Sequence, residues 1–475
     1  MKSILNIICI LILHQILFGG TTGKLSGTLI DKETGEPLIG CNIIIEDTYL
    51  GTSSNEKGEY ALLNIPPNTY SIRFEMIGYK KLVNEGVTII SDKTTSLNGE
   101  LVSSVIAGEE VVVVAEKKLI QFDVTQSEAI ISSEELEGMP VTEVSEVLRL
   151  QGGVTVDSDG GIHMRGGRTS EVSYMVDGVP MSDLYDGGIG VQIENDNIQE
   201  LQVISGTFNA EYGRALTGVV NMVTKDGGNQ FEGSLHTYAG DYQSSDKIYN
   251  NLNNLDLEDD YSVSASLSGP ILKDKVTFYS SGRVNQSKGW LNGLQTFTIY
   301  GDTIFKDQNN NRYLDGNEEQ KDPYYKGLNW HSSWSTQNKV TFNLLKGTTF
   351  KINTILNSRE SQDYNFALQL LEDAQITNFN RGRFLGLSIS HTISPTSFLQ
   401  VNVSENKYNY ESYLFEDPLD NRYITPDSLF LARLENRIPD HIIEQYGDQV
   451  QYFPAYSLFR ACLLYTSDAA DELLG

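Results

Sequence analysis

The acidic segment Asp307-Gln308-Asn309-Asn310-Asn311-Arg312-Tyr313-Leu314-Asp315-Gly316-Asn317-Glu318 has the spacing in this sequence that best suits a metal ion. Asp307, Asn309, Asn311, Asp315 and Glu318 fall at positions 1, 3, 5, 9 and 12 of a calcium loop, and Tyr313 offers its carbonyl at position 7. Oxygen ligands at those offsets wrap one hard cation. Arg312 stands where the sharp turn usually takes Gly, so a solvated Asn/Asp loop is the competing reading. His441-x-x-Glu444 has the spacing of a zinc pair, but no third ligand accompanies it and the chain holds six His. No Ser/His/Asp setting, C-x-x-C pair or phosphate loop stands out. The sequence therefore predicts no catalysis, and no cofactor except calcium in that one loop.

A different kind of chemistry is open to Glu109-Glu110-Val111-Val112-Val113-Val114-Ala115. Four successive valines form a short, uncharged β-former. It reads either as a core strand or as a segment that adds its backbone to the edge of a partner's sheet.

The charge of −28 over 475 residues excludes nucleic acid and anionic lipid as electrostatic partners, because like charges repel. The 25 Tyr favour strands and membrane interfaces, where one end of the ring stays wet. Lys2 followed by the apolar run Ile4 to Phe18 and small residues from Gly19 reads as a signal peptide over residues 1–22. The run is shorter than the roughly 20 residues of a membrane anchor. The three cysteines, Cys9, Cys41 and Cys462, outline no disulfide framework. Cys41, in an apolar run, reads as a small buried residue.

Three regions follow the signal. From residue 23 to 102, strand-like runs (Lys24–Ile30, Asn42–Glu46, Tyr60–Asn64, Tyr70–Glu75) alternate with turns such as Asp31-Lys32-Glu33-Thr34-Gly35, as in a small β-sandwich. Residues 103–118 form a linker that carries the valine strand. From 119 to 227, Ser132-Ser133-Glu134-Glu135 is a capping box for one helix, and a second runs from Thr142 to Leu150 with Val144, Val147 and Leu148 on one side. Short strands joined by Gly-rich turns, including Asp177-Gly178, complete it. From 228 to 459 the pattern is period 2. Tyr261, Val263, Ala265 and Leu267 alternate with serines, and Val340, Phe342 and Leu344 alternate with Lys339, Thr341 and Asn343. Phe350, Ile352 and Leu356, then Leu385, Leu387 and Ile389, then Leu399, Val401 and Val403, do the same. Short connections (Gly269–Asp274, Lys346-Gly347, Ser394–Thr396) alternate with long polar ones (Ala239–Asp260, Asn285–Ser335, Arg359–Asn380), as in a barrel with two unlike rims.

The first region resembles the carboxypeptidase-regulatory-like domain, an immunoglobulin-like module without catalytic residues of its own. The blocks "IHMRGGRTSEVSYMVDGVPMSD" and "ISGTFNAEYGRALTGVVNMVTKDGGNQFEGS" resemble the plug of TonB-dependent outer-membrane receptors. The order module, plug, barrel is familiar from Bacteroidetes-type receptors. By that resemblance Val111, Val112, Val113, Val114 and Ala115 are the energy-coupling box that pairs with a TonB-type protein in the periplasm. The plug residues Arg165, Arg168, Glu211 and Arg214 are candidates for ion pairs to the barrel wall, against a competing reading as surface charges. Such pairs are individually weak in a wet lumen and can separate when the plug is pulled.

The fold expected is thus mainly β: an Ig-like sandwich, an α+β plug, and the first strands of an antiparallel transmembrane barrel. A plugged barrel needs about 22 strands, and about seven are legible here. The C-terminal "RACLLYTSDAADELLG" breaks the alternation, so residues 460–475 read as a non-native tail on a C-terminally truncated receptor. The resemblance implies an outer-membrane location with the module and box in the periplasm. It implies active uptake of a large scarce solute: siderophore, glycan, cobalamin or peptide. Its partners would be the coupling protein, outer-membrane lipid, an extracellular ligand and a surface lipoprotein. Surface binding, adhesion or protein export on the same architecture is the alternative.

Overall fold

The computed structural model describes residues 21–103, 110–114 and 127–416, apart from residues 140, 142, 158–159, 184–186, 207–214, 247–248, 250, 253–254, 258, 295–303, 307–311, 315–317, 321–324, 366–374 and 395–396. Residues 1–20 of the expected signal peptide, His441, Glu444 and the tail from 460 lie outside the described residues.

The N-terminal module has two sheets. Strands β1 (Gly23–Asp31), β2 (Asn42–Ile45), β3 (Gly51–Ser53), β4 (Glu59–Ile65), β5 (Asn68–Glu75), β6 (Lys81–Ile89), β7 (Thr94–Ser96) and β8 (Gly99–Leu101) build it, and β9 (Glu110–Val114) joins one edge. One sheet runs β4-β1-β7, with β8 also on β1; the other runs β3-β2-β5-β6-β9. Alternate residues point inward, so Leu25, Leu29, Ile43, Ile45, Ile72 and Phe74 meet between the sheets, fully buried. Cys41 lies in this core with its thiol free, and burial pushes it up to about 11. The turn after β1 closes because Asp31 Oδ1 accepts from the backbone N–H of Glu33 and Thr34 at 2.7 and 3.0 Å.

The plug is a mixed five-stranded sheet. Its strands are β10 (Ser127–Ser132), β13 (Val172–Val176), β14 (Val179–Pro180), β15 (Ile198–Ser205) and β16 (Gly218–Thr224), in the order β10-β15-β16-β13-β14. A separate hairpin pairs β11 (Val154–Val156) with β12 (Ile162–Met164). Helix α1 (Ser133–Glu137) starts at the capping box read from the sequence: Ser132 Oγ accepts from Glu135 N–H, and Glu135 Oε2 accepts from Ser132 N–H. Helix α2 (Val144–Arg149) buries Val144, Val147 and Leu148 against a core that includes Tyr174, Ile198, Leu201 and Met222.

The third part is a seven-stranded antiparallel meander in chain order. It comprises β17 (Glu232–Gly240), β18 (Asp260–Leu272), β19 (Val276–Ser287), β25 (His331–Leu345), β26 (Thr348–Gln362), β27 (Thr377–Ser394) and β28 (Ser397–Tyr413). The small strands β20 (Asn292–Leu294), β21 (Ile304–Lys306), β22 (Arg312–Leu314), β23 (Glu318–Gln320) and β24 (Tyr325–Gly327) lie in the long connection between β19 and β25. Short and long connections alternate as the sequence predicts.

This wall is inverted relative to a sheet in water. Ser264, Ser268, Arg283, Ser335, Gln337, Lys339 and Thr341 are buried, whereas Val263, Leu267, Leu387, Leu399, Val401 and Val403 are exposed. A sheet that hides serines and shows valines is built for an apolar solvent outside and a polar filling inside. No described helix is long and apolar enough to cross a membrane, which says nothing of strands. The wall curls around the plug, and Ile355 and Phe384 break its polar inner face by packing into the plug core.

Candidate functional site

The plug meets the wall through buried charges, and the local turns of the plug explain why the acids point outward. Asp177 and Gly178 join β13 to β14 with φ of 48° and 74°, the left-handed pair that an Asp-Gly hairpin turn supplies. The Asp177 carboxylate accepts from Thr224 N–H at 2.9 Å and Thr224 Oγ1–H at 2.8 Å, which ties the turn to the end of β16. Lys339, on the inner face of β25, inserts beside it. Its Nζ lies 3.2 Å from Asp177 Oδ2 and 3.1 Å from Asp226 Oδ1, and donates to Thr224 O at 2.9 Å. Lys351 Nζ on β26 pairs with the other oxygen of Asp226 at 2.5 Å. Asn353 Nδ2 donates to Asp177 Oδ2 at 2.7 Å. Two wall lysines thus hold two plug carboxylates where the plug ends and the chain turns toward β17.

A second clamp lies on β19. Arg283 Nη1 reaches Glu194 Oε2 at 2.9 Å, and Nη2 bonds Asp196 Oδ2. Ser335 Oγ donates to Glu194 Oε1 at 2.9 Å, and Ser264 Oγ to Asp196 at 3.2 Å. Tyr279 hydroxyl donates to Asn197 Oδ1 at 3.0 Å. Further along, Arg359 Nη1 lies 3.3 Å from Glu143 Oε1. Arg283 and Lys339 are almost wholly buried, at 7% and 3% exposure, so their contacts act in a medium of low dielectric, whereas the Arg359–Glu143 pair is half-exposed.

The electrostatics divide the acids. Burial pushes Asp226 up, but Lys339 and Lys351 outweigh it and bring its carboxyl down to about 2. Burial raises Glu194, and Arg283 pulls it only part of the way back. Glu200, on β15 where the plug meets the N-terminal module, is raised by burial to about 7. It accepts from Ser91 N–H at 3.2 Å and Gln202 Nε2 at 2.7 Å. Gln202 in turn donates to Ser91 O and accepts from Asn221.

Arg165 adopts φ 51° and donates from Nε to Ser205 Oγ at 3.2 Å, inside the plug. The backbone N–H of Arg168 donates to Glu171 Oε2 at 3.0 Å, also inside the plug. Among the described residues no ion pair joins either arginine to the wall, and Glu211 and Arg214 lie outside the described residues. The pairs that do cross have the opposite polarity, with acids on the plug and bases on the wall. The available signal was the inward parity of Arg283, Lys339 and Lys351 in the period-2 pattern. Of the calcium-loop residues, Asp307, Asn309, Asn311 and Asp315 lie outside the described residues. Tyr313 and Glu318 lie on β22 and β23, paired antiparallel with Leu314 opposite Glu318.

Val111 to Val114 lie in β9, paired in parallel with β6 from Lys81 opposite Glu110 to Glu85 opposite Val114; Ala115 lies outside the described residues. The valine run is therefore a strand of the module's sheet and, among the described residues, its outermost one.

Comparison with known proteins agrees with this order of parts. The model of the CarboxypepD_reg-like domain matches residues 25–113, and that of the TonB-dependent Receptor Plug Domain matches residues 121–220. The chain is 25% identical over 279 residues to the TonB-dependent transporter Oar of Myxococcus xanthus, covering 54% of this chain and 26% of that protein. It is 26% identical over 219 residues to the TonB-dependent receptor P3 of Formosa agariphila, covering 43% and 20%. The crystal structure of the siderophore receptor PirA from Pseudomonas aeruginosa aligns over 60% of this chain and 41% of its own, with 18% identity and a TM-score of 0.40. The chain spans about a quarter of the length of the curated relatives it matches, at 26% and 20%. With a CarboxypepD_reg-like module, a TonB-dependent receptor plug domain and an inverted strand wall in that order, the chain has the domain order of a TonB-dependent receptor.

Proposed function

We propose that the chain serves active uptake of a large scarce solute across the outer membrane, with the plug as the movable gate. The observation that carries this reading is the plug–wall interface: a gate held by discrete ion pairs under an inverted sheet. A handful of such pairs fixes the plug at rest and can be broken one after another, whereas a continuous apolar interface would resist as a whole. In this reading an extracellular ligand binds the outer loops and the top of the plug. A TonB-type protein grips Val111–Ala115 from the periplasm and pulls. Outer-membrane lipid surrounds the wall, a surface lipoprotein is a further partner, and calcium in the loop from Asp307 to Glu318 orders the outer rim. Siderophore, glycan, cobalamin and peptide are the solute classes to test; some relatives carry the name siderophore receptor.

The test is growth of a strain carrying the full receptor on each solute class as sole source, with and without deletion of Glu110–Ala115. Loss of growth and of periplasmic solute on deletion supports coupled uptake. Solute held at the surface with none in the periplasm turns the reading to surface binding or export on the same architecture.

A further inference from the structure

We propose that the N-terminal module presents the coupling strand, so that the partner adds to a sheet edge already formed rather than capturing a loose peptide. This rests on the reading of Val111–Ala115 as the coupling segment. The inner edge of β9 is paired over five residues with β6, each residue having a register partner. In a parallel ladder a strand bonds its neighbour through alternate residues, and the N–H and C=O groups of the intervening residues point the other way. In the order β3-β2-β5-β6-β9 the outer side of β9 has no strand against it among the described residues. Those outward groups are what an incoming extended segment needs.

Among the described residues the β6–β9 ladder runs from Lys81 opposite Glu110 to Glu85 opposite Val114. On its other side, against β5, β6 shifts register between Asn84 and Val87, with Gly86 at φ 76° in that shift. Val112 remains 52% exposed, so a side chain of an added strand has an apolar neighbour to pack on. The same segment joins the module to the plug, which puts the presented edge at the start of the tether through which a pull reaches the plug.

Presentation has a thermodynamic consequence. A free peptide loses backbone entropy when it becomes a strand in a complex. Here β6 has already fixed that conformation, and the partner meets a preorganised edge.

The test uses the full receptor in nanodiscs, with the purified periplasmic domain of the host's TonB-type protein as probe. Val83 and Val112 are register partners, and the Val83→Cys/Val112→Cys pair locks β9 on β6 when oxidised. Presentation predicts that the locked receptor binds the probe within about twofold of its reduced form, whereas a tenfold or greater loss on locking means β9 must leave the module and overturns the proposal. Deletion of residues 24–101, which keeps the coupling segment, is expected to weaken binding roughly tenfold; unchanged binding also overturns it. Deletion of Glu110–Ala115 separates the two readings. If that deletion leaves binding intact, the coupling assignment itself is wrong; if binding is lost, the lock and the module deletion decide presentation alone.

Discussion

Lys339 Nζ lies 3.1 Å from Asp226 Oδ1, joining the inner face of β25 to the residue at which the plug hands the chain over to the wall. Because Lys339 also holds Asp177 and the carbonyl of Thr224, one wall cation organises the C-terminal end of the plug. Removing a single partner from a buried pair is costly, since the remaining charge stays desolvated. Lys339→Met is expected to destabilise plug docking by on the order of 3 kcal/mol. Adding Asp177→Asn should recover part of that loss, because Asp226 keeps Lys351 whereas Asp177 is the carboxylate left without its cation. Limited proteolysis of the plug in the folded receptor, run as a double-mutant cycle, measures both; strictly additive losses would show that the two side chains are not coupled.

Asp226 also sets an acid limit. Its carboxyl is lowered from 3.8 to about 2, with burial opposing and the two lysines prevailing. A folded-state pKa below the unfolded one gives stability that is present above about pH 4 and is lost as pH falls through about 2. The clamp is therefore expected to hold at pH 4 and to open only near pH 2. Protease sensitivity of the plug appearing already at pH 4 to 5 would contradict this.

Glu200 acts in the opposite sense. Burial raises it from 4.5 to about 7, so the folded state keeps its proton where the unfolded chain has released it. The stabilisation is fully present below about pH 4.5 and is lost as pH rises through about 7, amounting to about 3 kcal/mol at most. The contact between Ser91 and the β15 pair Glu200 and Gln202 should loosen between pH 6 and pH 8. Hydrogen exchange at Ser91 reports it, and Glu200→Gln should make the protection independent of pH across that range.

Gly227 lies in the crossing from plug to wall. A Cβ there would overlap the carbonyl oxygen of Phe278 on β19, a backbone atom that cannot swing aside. Gly227→Ala is expected to lower stability by about 1–3 kcal/mol while Gly228→Ala, whose Cβ would meet only Gln230 N at an ordinary 4.0 Å, changes little. Thermal unfolding of the two variants side by side checks the contrast.

The apolar band of the outer face, where Val401 and Val403 lie opposite Ile389 and Leu387, should tolerate no charge, unlike the stretch beyond it where Arg383 and Glu405 pair in the open. Val401 on β28 is exposed, and its neighbour Asn402 points the other way. Val401→Arg is expected to cost up to about 2–4 kcal/mol if it lies near the bilayer midplane, and less toward either rim. Asn402→Asp should be near neutral. Heat-modifiability of the full receptor on gels, comparing folded fractions, separates these outcomes; equal yields would mean the valine face does not meet lipid.

Much of this molecule is local and therefore legible in its residues. Period 2 in the wall is written in adjacent positions such as Val263 and Ser264, because a strand sends neighbours to opposite faces whatever surrounds it. The capping box at Ser132 and Glu135, the Asp177-Gly178 turn and the alternation of short and long connections depend only on nearby chain. The valine run was legible as a strand former, with its neighbour left open. What only the tertiary structure decided was who meets whom. Arg165 and Arg168 carry charge in a plug-like motif, yet Arg165 folds back onto Ser205 while Asp177, Glu194, Asp196 and Asp226 face the wall. Ile355 and Phe384 sit at polar-face positions of the pattern and become part of the plug core. β9 pairs with β6 and, among the described residues, has no strand on its other side. Charge and parity are properties of single residues, but an ion pair or a sheet edge is a relation between segments far apart in the chain. Which relation forms depends on the packing of the whole, since each contact must first offset the desolvation of the groups that make it.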